Sequence, residues 1–187
     1  MSYIAELIAS NRSYRRFSAD RRPTRDELFG MIDCARLGAS AGNLQRLYFS
    51  AVYDEKDCAS VFENIAFAAY LGSWRPDREE APGAYVIIWS CSEPDANLAI
   101  DAGIAAQSIL LCARDMGYGG CMFRSMKKNE LVKALGKSGF VPVLVIALGT
   151  PAETVVLTDV KDGNIRYYRD ENGVHYVPKR ALEDIII

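Results

Sequence analysis

The sequence predicts an α+β fold, a small sheet packed between helices, and three observations carry that expectation. Two continuous apolar runs of strand length, Ala84–Ser90 and Pro142–Leu148, read as buried strands. The segment Asn97–Met116 is rich in Ala, Leu and Ile almost all round and reads as a helix buried on most faces. Near the end, Asn172-Gly173 is a hairpin signal between Ile165–Arg169 and Val174–Val177. The 187 residues are half apolar and a quarter charged. That is enough for one domain over residues 1–187 whose core needs no disulfide or metal.

The remaining elements follow from local signals. Met1–Asn11 reads as a short helix with Ile4, Leu7 and Ile8 on one stripe, and Arg12–Pro23 as irregular chain. Thr24-Arg-Asp-Glu27 is a capping box, and Leu28, Met31, Ile32 and Ala35 then recur at helical spacing to about Leu37. Gly38–Asn43 breaks that pattern with small residues, and Tyr48–Tyr53 is a strand candidate. Val61, Phe62, Ile65 and Ala69 predict a helix over Cys58–Leu71, followed by a loop over Ser73–Gly83. Gly117 suits the position after the long helix, Asn129–Leu135 reads as a short helix, and Gly149-Thr-Pro151 is expected to end the second strand. The long helix has too little polar surface for the edge of a two-layer monomer, and the last forty residues hold no second core helix. Both features predict surface shared between two chains.

Composition narrows the function. Lys and Arg number 22 against 24 Asp and Glu, so the basic excess of a nucleic-acid binder is missing. Arg12, Arg15, Arg16, Arg21, Arg22 and Arg25 nevertheless crowd together, most of them as a solvated basic face. No apolar run reaches the length of a membrane span, and the start lacks a signal peptide's basic and apolar regions. The five cysteines are scattered without a C-x-x-C, and there is one histidine, so no metal site is expected. A reduced, cytoplasmic protein fits this pattern. Triad chemistry would need His175 as its base, yet that residue is read as an exposed histidine beside a hairpin turn. Neither a P-loop nor a dinucleotide fingerprint is present, and Gly117-Tyr-Gly-Gly120 follows a helix rather than a strand. A chain this poor in acid–base groups either is not an enzyme or leaves the reaction to a cofactor.

Two segments have the chemistry of a ligand site. Asn11-Arg12-Ser13-Tyr14-Arg15-Arg16-Phe17 offers guanidinium forks and a short hydroxyl that can converge on a phosphate. Ser40-Ala-Gly-Asn43-Leu-Gln45 combines small residues, which allow close backbone approach, with two amides.

Taken with Asp101–Gly119 (a long helix and its glycines) and Ala147-Leu-Gly149-Thr-Pro151, these segments resemble, in order, the landmarks of the nitroreductase family of FMN-dependent oxidoreductases. The resemblance spans about residues 4–151. It implies a nitroreductase-like α+β fold with a small central mixed sheet flanked by helices, in an intertwined homodimer with FMN at the interface. It implies that Arg12, Ser13 and Arg15 hold the FMN phosphate and pyrimidine edge, with Arg15 near N1/O2. Ser40, Ala41, Asn43 and Gln45 would meet the flavin of the partner subunit, and Met122, Phe123 and Arg124 would lie along the flavin edge. Lys179 and Arg180, in a tail that looks like the family's basic phosphate element, would add charge for the phosphate and offset Asn11, which stands where the family has arginine. Arg46 stands where the family has proline, and the chain is short for the family, which puts the substrate in question more than the cofactor.

The activity so implied is ping-pong transfer of electrons from NADH or NADPH, through flavin N5, to an electron-poor acceptor such as a nitroaromatic, a quinone or another metabolite. No catalytic side chain is required for it. Trp74, Tyr70 and Phe123 are candidate stacking residues, more readily read as packing, and Cys121 is read as structural. Two alternatives remain open: a non-catalytic flavin-binding redox sensor or FMN store, and an interaction module whose arginines bind an acidic partner.

Overall fold

The computed structural model describes residues 2–67, 69–72 and 74–187. Helix α1 (Tyr3–Ser10) begins at the Ser2 hydroxyl, which accepts from the Ala5 amide, and ends where Asn11 turns extended. After the short strand β1 (Phe17–Ser18), helix α2 (Arg25–Arg36) opens on the expected capping box. There the Thr24 hydroxyl accepts from the Glu27 amide at 3.3 Å, and the Glu27 carboxylate accepts from the Thr24 amide at 2.8 Å. Partial burial pushes the Glu27 carboxyl up, but Thr24, Arg21 and the Tyr118 hydroxyl all bond its charged form and hold it at about 2. The order continues with β2 (Tyr48–Val52), α3 (Glu55–Glu63), β3 (Ala84–Ser90) and α4 (Ala96–Asp115). Then come β4 (Gly119–Phe123), α5 (Lys128–Ala134), β5 (Val141–Pro151), β6 (Val155–Asp159), β7 (Tyr168–Arg169) and β8 (His175–Lys179).

Strand β5 organises the main sheet. It pairs antiparallel with β3 on one side, and β3 pairs antiparallel with β2. Its other side is shared by β4 and β1, both antiparallel to it. A parallel bridge between Ser13 and Gly120 joins the Arg12–Arg16 segment to the outer edge of β4, which makes the sheet mixed. A second small sheet holds β8 between β6, which is parallel to it, and β7, which is antiparallel.

The two apolar runs are buried on both faces, which is why they carry no polar alternation. Val86, Ile88, Ile146 and Leu148 point to one face and pack on Leu28 and Met31 of α2 and Ala106 and Ile109 of α4. Tyr85, Ile87 and Val145 point to the other, against Val61 and Phe62 of α3 and Leu131 of α5. Helix α4 is long and apolar enough to cross a membrane by those criteria alone. Leu98, Ala102, Ala106, Ile109 and Ala113 are nevertheless buried in the core, and Gly117, at φ 85°, ends the helix as expected.

Two expectations are corrected, and one strand stands where none was expected. The helix expected over Cys58–Leu71 begins at Glu55, capped by Asp54, and stops at Glu63. Beyond Asn64 the backbone pairs with another segment instead: the Ala66 amide donates to the Ser125 carbonyl at 3.0 Å, and the Lys127 amide to the Asn64 carbonyl at 2.9 Å. That pairing overrides the helical spacing of Ile65 and Ala69. Gly149-Thr-Pro151 does not end β5 but carries it on to pair with Phe17 and Ser18. Finally, Gly119–Phe123 forms β4, an edge strand too rich in glycine to read as one from propensity.

Candidate functional site

The glycines after α4 are what bring the N-terminal arginines to the sheet. The Tyr14 amide donates to the Gly120 carbonyl at 3.0 Å, so the segment lies directly on β4. A Cβ on Gly119 would collide with the Tyr14 ring and come within 2.7 Å of Pro151. On Gly120 it would strike the Ala147 carbonyl oxygen and lie 2.6 Å from Leu110. Only bare backbone at Gly119 and Gly120 permits this approach.

With the segment so placed, Arg15 is buried, at 9% exposure. Its guanidinium donates to the Ser13 carbonyl at 3.3 Å, lies 5.0 Å over the Tyr167 ring and approaches His175 Nε2 at 3.4 Å. Among the described residues no carboxylate pairs with it. Glu153 is the nearby acid, and its side chain is 1% exposed. Its Oε1 accepts from the Arg15 and Arg16 amides and its Oε2 from the Arg169 guanidinium, so its acceptors are spent fixing the backbone and Arg169. The one carboxylate here thus pairs with the Arg169 guanidinium and not with that of Arg15, leaving positive charge at the pocket. Burial lowers the Arg169 guanidinium below its ordinary value, Glu153 opposes that, and the neighbouring Arg16 and Arg15 add to it.

Arg15 and Tyr167 border a cavity of about 160 Å³ together with Ala66 and residues 121–125. Within it the structure unites three groups named from sequence: Arg15, the Met122–Arg124 stretch and Cys121. Met122 and Arg124 are exposed there. Phe123 contributes to the lining, but its ring is 4% exposed and packs edge-on against Phe67, so it is a core residue and not a stacking one. Burial pushes the Cys121 thiol up, which keeps it protonated. Trp74 is covered by the Arg169 guanidinium at 4.1 Å, and Tyr70 leans on Tyr167 with ring centroids 4.9 Å apart.

Arg12 and Ser13 stand three and two positions before Arg15. Arg12 donates to the Ile8 carbonyl at 2.7 Å, closing the end of α1, while its buried Nε has no partner. Burial lowers its guanidinium as well. Ser13 is exposed.

The second group lies elsewhere. Ser40 and Gln45 border a separate cavity of about 140 Å³ beside Asp101 and Ala105 of α4. The Ala41 amide donates to Asp101 Oδ1 at 2.8 Å, and Asp101 is 3% exposed with Oδ2 unpartnered. Gly42, Asn43 and Gln45 all have left-handed backbone, at φ 56°, 53° and 50°. For glutamine that conformation is strained, and the fold retains it only because the Ser40 hydroxyl and Asp101 fix the turn. Arg46 clamps Asp95 at the start of α4 with contacts of 2.7 and 3.0 Å, a role independent of any ligand.

Lys179 and Arg180 lie exposed at the far end of β8, about 13 Å along the strand from His175. The cation beside Arg15 is Arg169. One expectation fails: His175 is not exposed but 1% exposed, held between Arg15 and Tyr167, and its Nδ1 has no partner. The Asn-Gly hairpin itself exists, but its loop is the five residues 170–174, closed by Asp170, so His175 enters the strand and turns inward. Glu153, Arg169, Tyr167 and Asp101 were not singled out from sequence. For Tyr167 and Arg169 the one available signal was their place in the tail that looks like the family's phosphate element.

A larger groove of about 510 Å³ runs along β2 beside Asp33 and Lys137 and shares Arg36 and Phe49 with the Ser40–Gln45 cavity.

Comparisons with known proteins identify the family. The family model described as "Nitroreductase family" matches residues 8–150. A protein of Archaeoglobus fulgidus assigned as an NADH dehydrogenase/NAD(P)H nitroreductase is 27% identical, covering all of this chain and 97% of its own. The CLA biosynthesis enone reductase of Lactiplantibacillus plantarum is 26% identical, covering 80% of this chain and 86% of its own. A structure from Exiguobacterium sibiricum, solved in complex with FMN, superposes with a TM-score of 0.66 at 17% identity, covering 82% of this chain and 90% of its own. With the family model spanning most of the chain and its landmarks arranged as described, the protein belongs to the nitroreductase family of flavoprotein oxidoreductases.

Proposed function

We propose that the protein is an FMN-dependent oxidoreductase that takes electrons from NADH or NADPH and delivers them to an electron-poor acceptor in alternating half-reactions. The observation that carries this is Arg15, a buried guanidinium without a carboxylate partner among the described residues, bordering a cavity with the exposed edge of β4. The residues fit FMN on their own chemistry: positive charge left over by Glu153, an unpartnered Arg12 Nε and the Ser13 hydroxyl. When bound, FMN supplies the hydride and electron transfer through its N5.

The chain's part is binding and electrostatics. Arg15 holds a fixed cation where the flavin's pyrimidine edge gathers negative charge, in a site drier than water, where such a charge acts strongly. Arg12 and Ser13 supply donors to the phosphate. Met122–Arg124 offer backbone at an exposed strand edge to the ring system. Tyr167 closes the pocket behind Arg15 and keeps water from the guanidinium. No protein acid is needed, since solvent can supply protons. Acceptors of the expected class include nitroaromatics and quinones, and the conjugated carbonyl named for the Lactiplantibacillus relative falls within it.

Ser40, Ala41, Asn43 and Gln45 act in a homodimer, on the flavin of the partner subunit. This reading is supported by their separation from the Arg15 cavity and by the strained, braced turn that presents them. Ile4, Leu44 and Ile100 are 58%, 62% and 61% exposed, apolar surface that a second chain would cover. The cytoplasm suits both the nicotinamide donor and the five free cysteines.

The test is rapid mixing of FMN-loaded protein with NADH and NADPH under anaerobic conditions. Bleaching of the bound flavin, followed by reoxidation with a quinone, is expected. Tight FMN binding without bleaching by either nicotinamide would leave a flavin store or sensor in place of an enzyme.

A further inference from the structure

We propose that His175 is a positioning residue for Arg15: its ring accepts through Nε2 from the Arg15 guanidinium and aims that cation at the pyrimidine edge of the flavin. The proposal rests on the FMN reading given above and adds to it a residue of the tail to which that reading gives no role.

The geometry is specific. His175 is 1% exposed and Arg15 9%, and Nη1 and Nε2 lie 3.4 Å apart. Arginine has donors only, so a contact with a ring nitrogen is attractive only where that nitrogen carries a lone pair. The contact therefore selects the neutral tautomer protonated at Nδ1. The ring cannot swing away. Its backbone amide donates to the Thr154 carbonyl at 2.9 Å, and the Tyr167 ring packs on it at 5.2 Å. Tyr167 also lies under the Arg15 guanidinium, so His175 and Tyr167 hold Arg15 on two sides.

The charged groups facing this cluster are Arg15 itself, Arg169 opposite His175 across the hairpin, and Glu153 between them. Glu153 directs its oxygens to Arg169 and to backbone amides, not to the Arg15 guanidinium. That leaves the imidazole and the buried Cys121 sulfur, a weak acceptor, as the side-chain acceptors facing Arg15 among the described residues. Burial first, then Arg15 and Arg169, press the imidazole down to about 4, so it stays an acceptor through the neutral range.

His175 is the only histidine, so its ring can be followed alone in untagged protein labelled with ¹⁵N. Between pH 5 and 8 the expected spectrum shows Nε2 unprotonated and Nδ1 protonated, with or without FMN. The opposite tautomer, or titration near pH 6.5, would overturn the proposal. The second arm measures FMN affinity and flavin midpoint potential in the wild type, His175→Leu and His175→Gln. The leucine variant is expected to bind FMN about tenfold more weakly, in line with loss of a charge-assisted contact, and to show a lower potential. Glutamine, whose carbonyl can accept from Arg15, should restore most of both. A leucine variant equal to wild type in affinity and potential would make His175 a packing residue only. Loss of both in the leucine and glutamine variants alike would mean disrupted folding rather than a lost acceptor, and would also refute the proposal. If the wild type itself fails to bind FMN, the reading beneath the proposal fails and the proposal with it.

Discussion

Glu153 and Arg169 form an ion pair inside the protein, their side chains 1% and 14% exposed. The same carboxylate accepts from the amides of Arg15 and Arg16, so one acid ties the chain after β5 to the hairpin and to the N-terminal arginine segment. Removing one partner of a buried pair leaves the other uncompensated, which costs far more than losing an exposed pair. Glu153→Gln is therefore expected to destabilise the protein by about 3 kcal/mol, read by urea denaturation, and to weaken FMN binding because the Arg15 backbone loses its anchor. A variant as stable as wild type would show that the pair is not an organising contact.

Arg15→Ala should leave the fold intact and weaken FMN binding by about 10- to 150-fold, the equivalent of roughly 1.5–3 kcal/mol for a charge-assisted contact. Titration of the apoprotein with FMN, followed by flavin fluorescence, gives the number. Unchanged flavin retention alongside lost binding of an acidic protein would favour the interaction-module alternative.

Gly120→Ala places a methyl group on the Ala147 carbonyl oxygen and beside Leu110. Backbone cannot retreat as a side chain can, so the expected cost is about 1–3 kcal/mol or more. FMN binding should fall too, because β4 can no longer take the Tyr14 amide at the same distance. Equal thermal midpoints for variant and wild type would contradict the close approach. Gly103→Ala, where an added Cβ meets nothing within 4 Å, is the control expected to be neutral or slightly stabilising.

Stability should fall in mild acid through His175. The folded imidazole sits at about 4 against an ordinary 6.5. Above pH 6.5 neither state is protonated and the full contribution is present. As pH drops from 6.5 toward 4 the unfolded chain takes up a proton that the folded chain refuses, and stability is lost by up to about 3 kcal/mol. His175→Gln should flatten that part of the stability–pH curve, and an unchanged slope in this variant would disprove the assignment.

Much of this architecture is legible in the residues, and the reasons differ by element. Both buried strands and α4 announce themselves because their burial demands unbroken apolar sequence. The cap of α2 is legible because Thr24 and Glu27 are local to each other. The helix expected beyond Glu63 is not, because what ends it is a backbone partner sixty residues away at Ser125. Arg15, Met122 and Arg124 reach one cavity as the motifs imply. Glu153, Arg169 and His175 escape sequence reasoning because their meaning arises only when β8 folds back on the arginine segment.

The most direct measurement is a crystal structure of the protein grown with FMN in excess. The account predicts flavin density with its pyrimidine edge within hydrogen-bond distance of Arg15 and its ring along Met122–Arg124, with Ser40–Gln45 of a second chain closing the other side. Well-ordered crystals in which the crevice between Arg15 and β4 holds only solvent would contradict it.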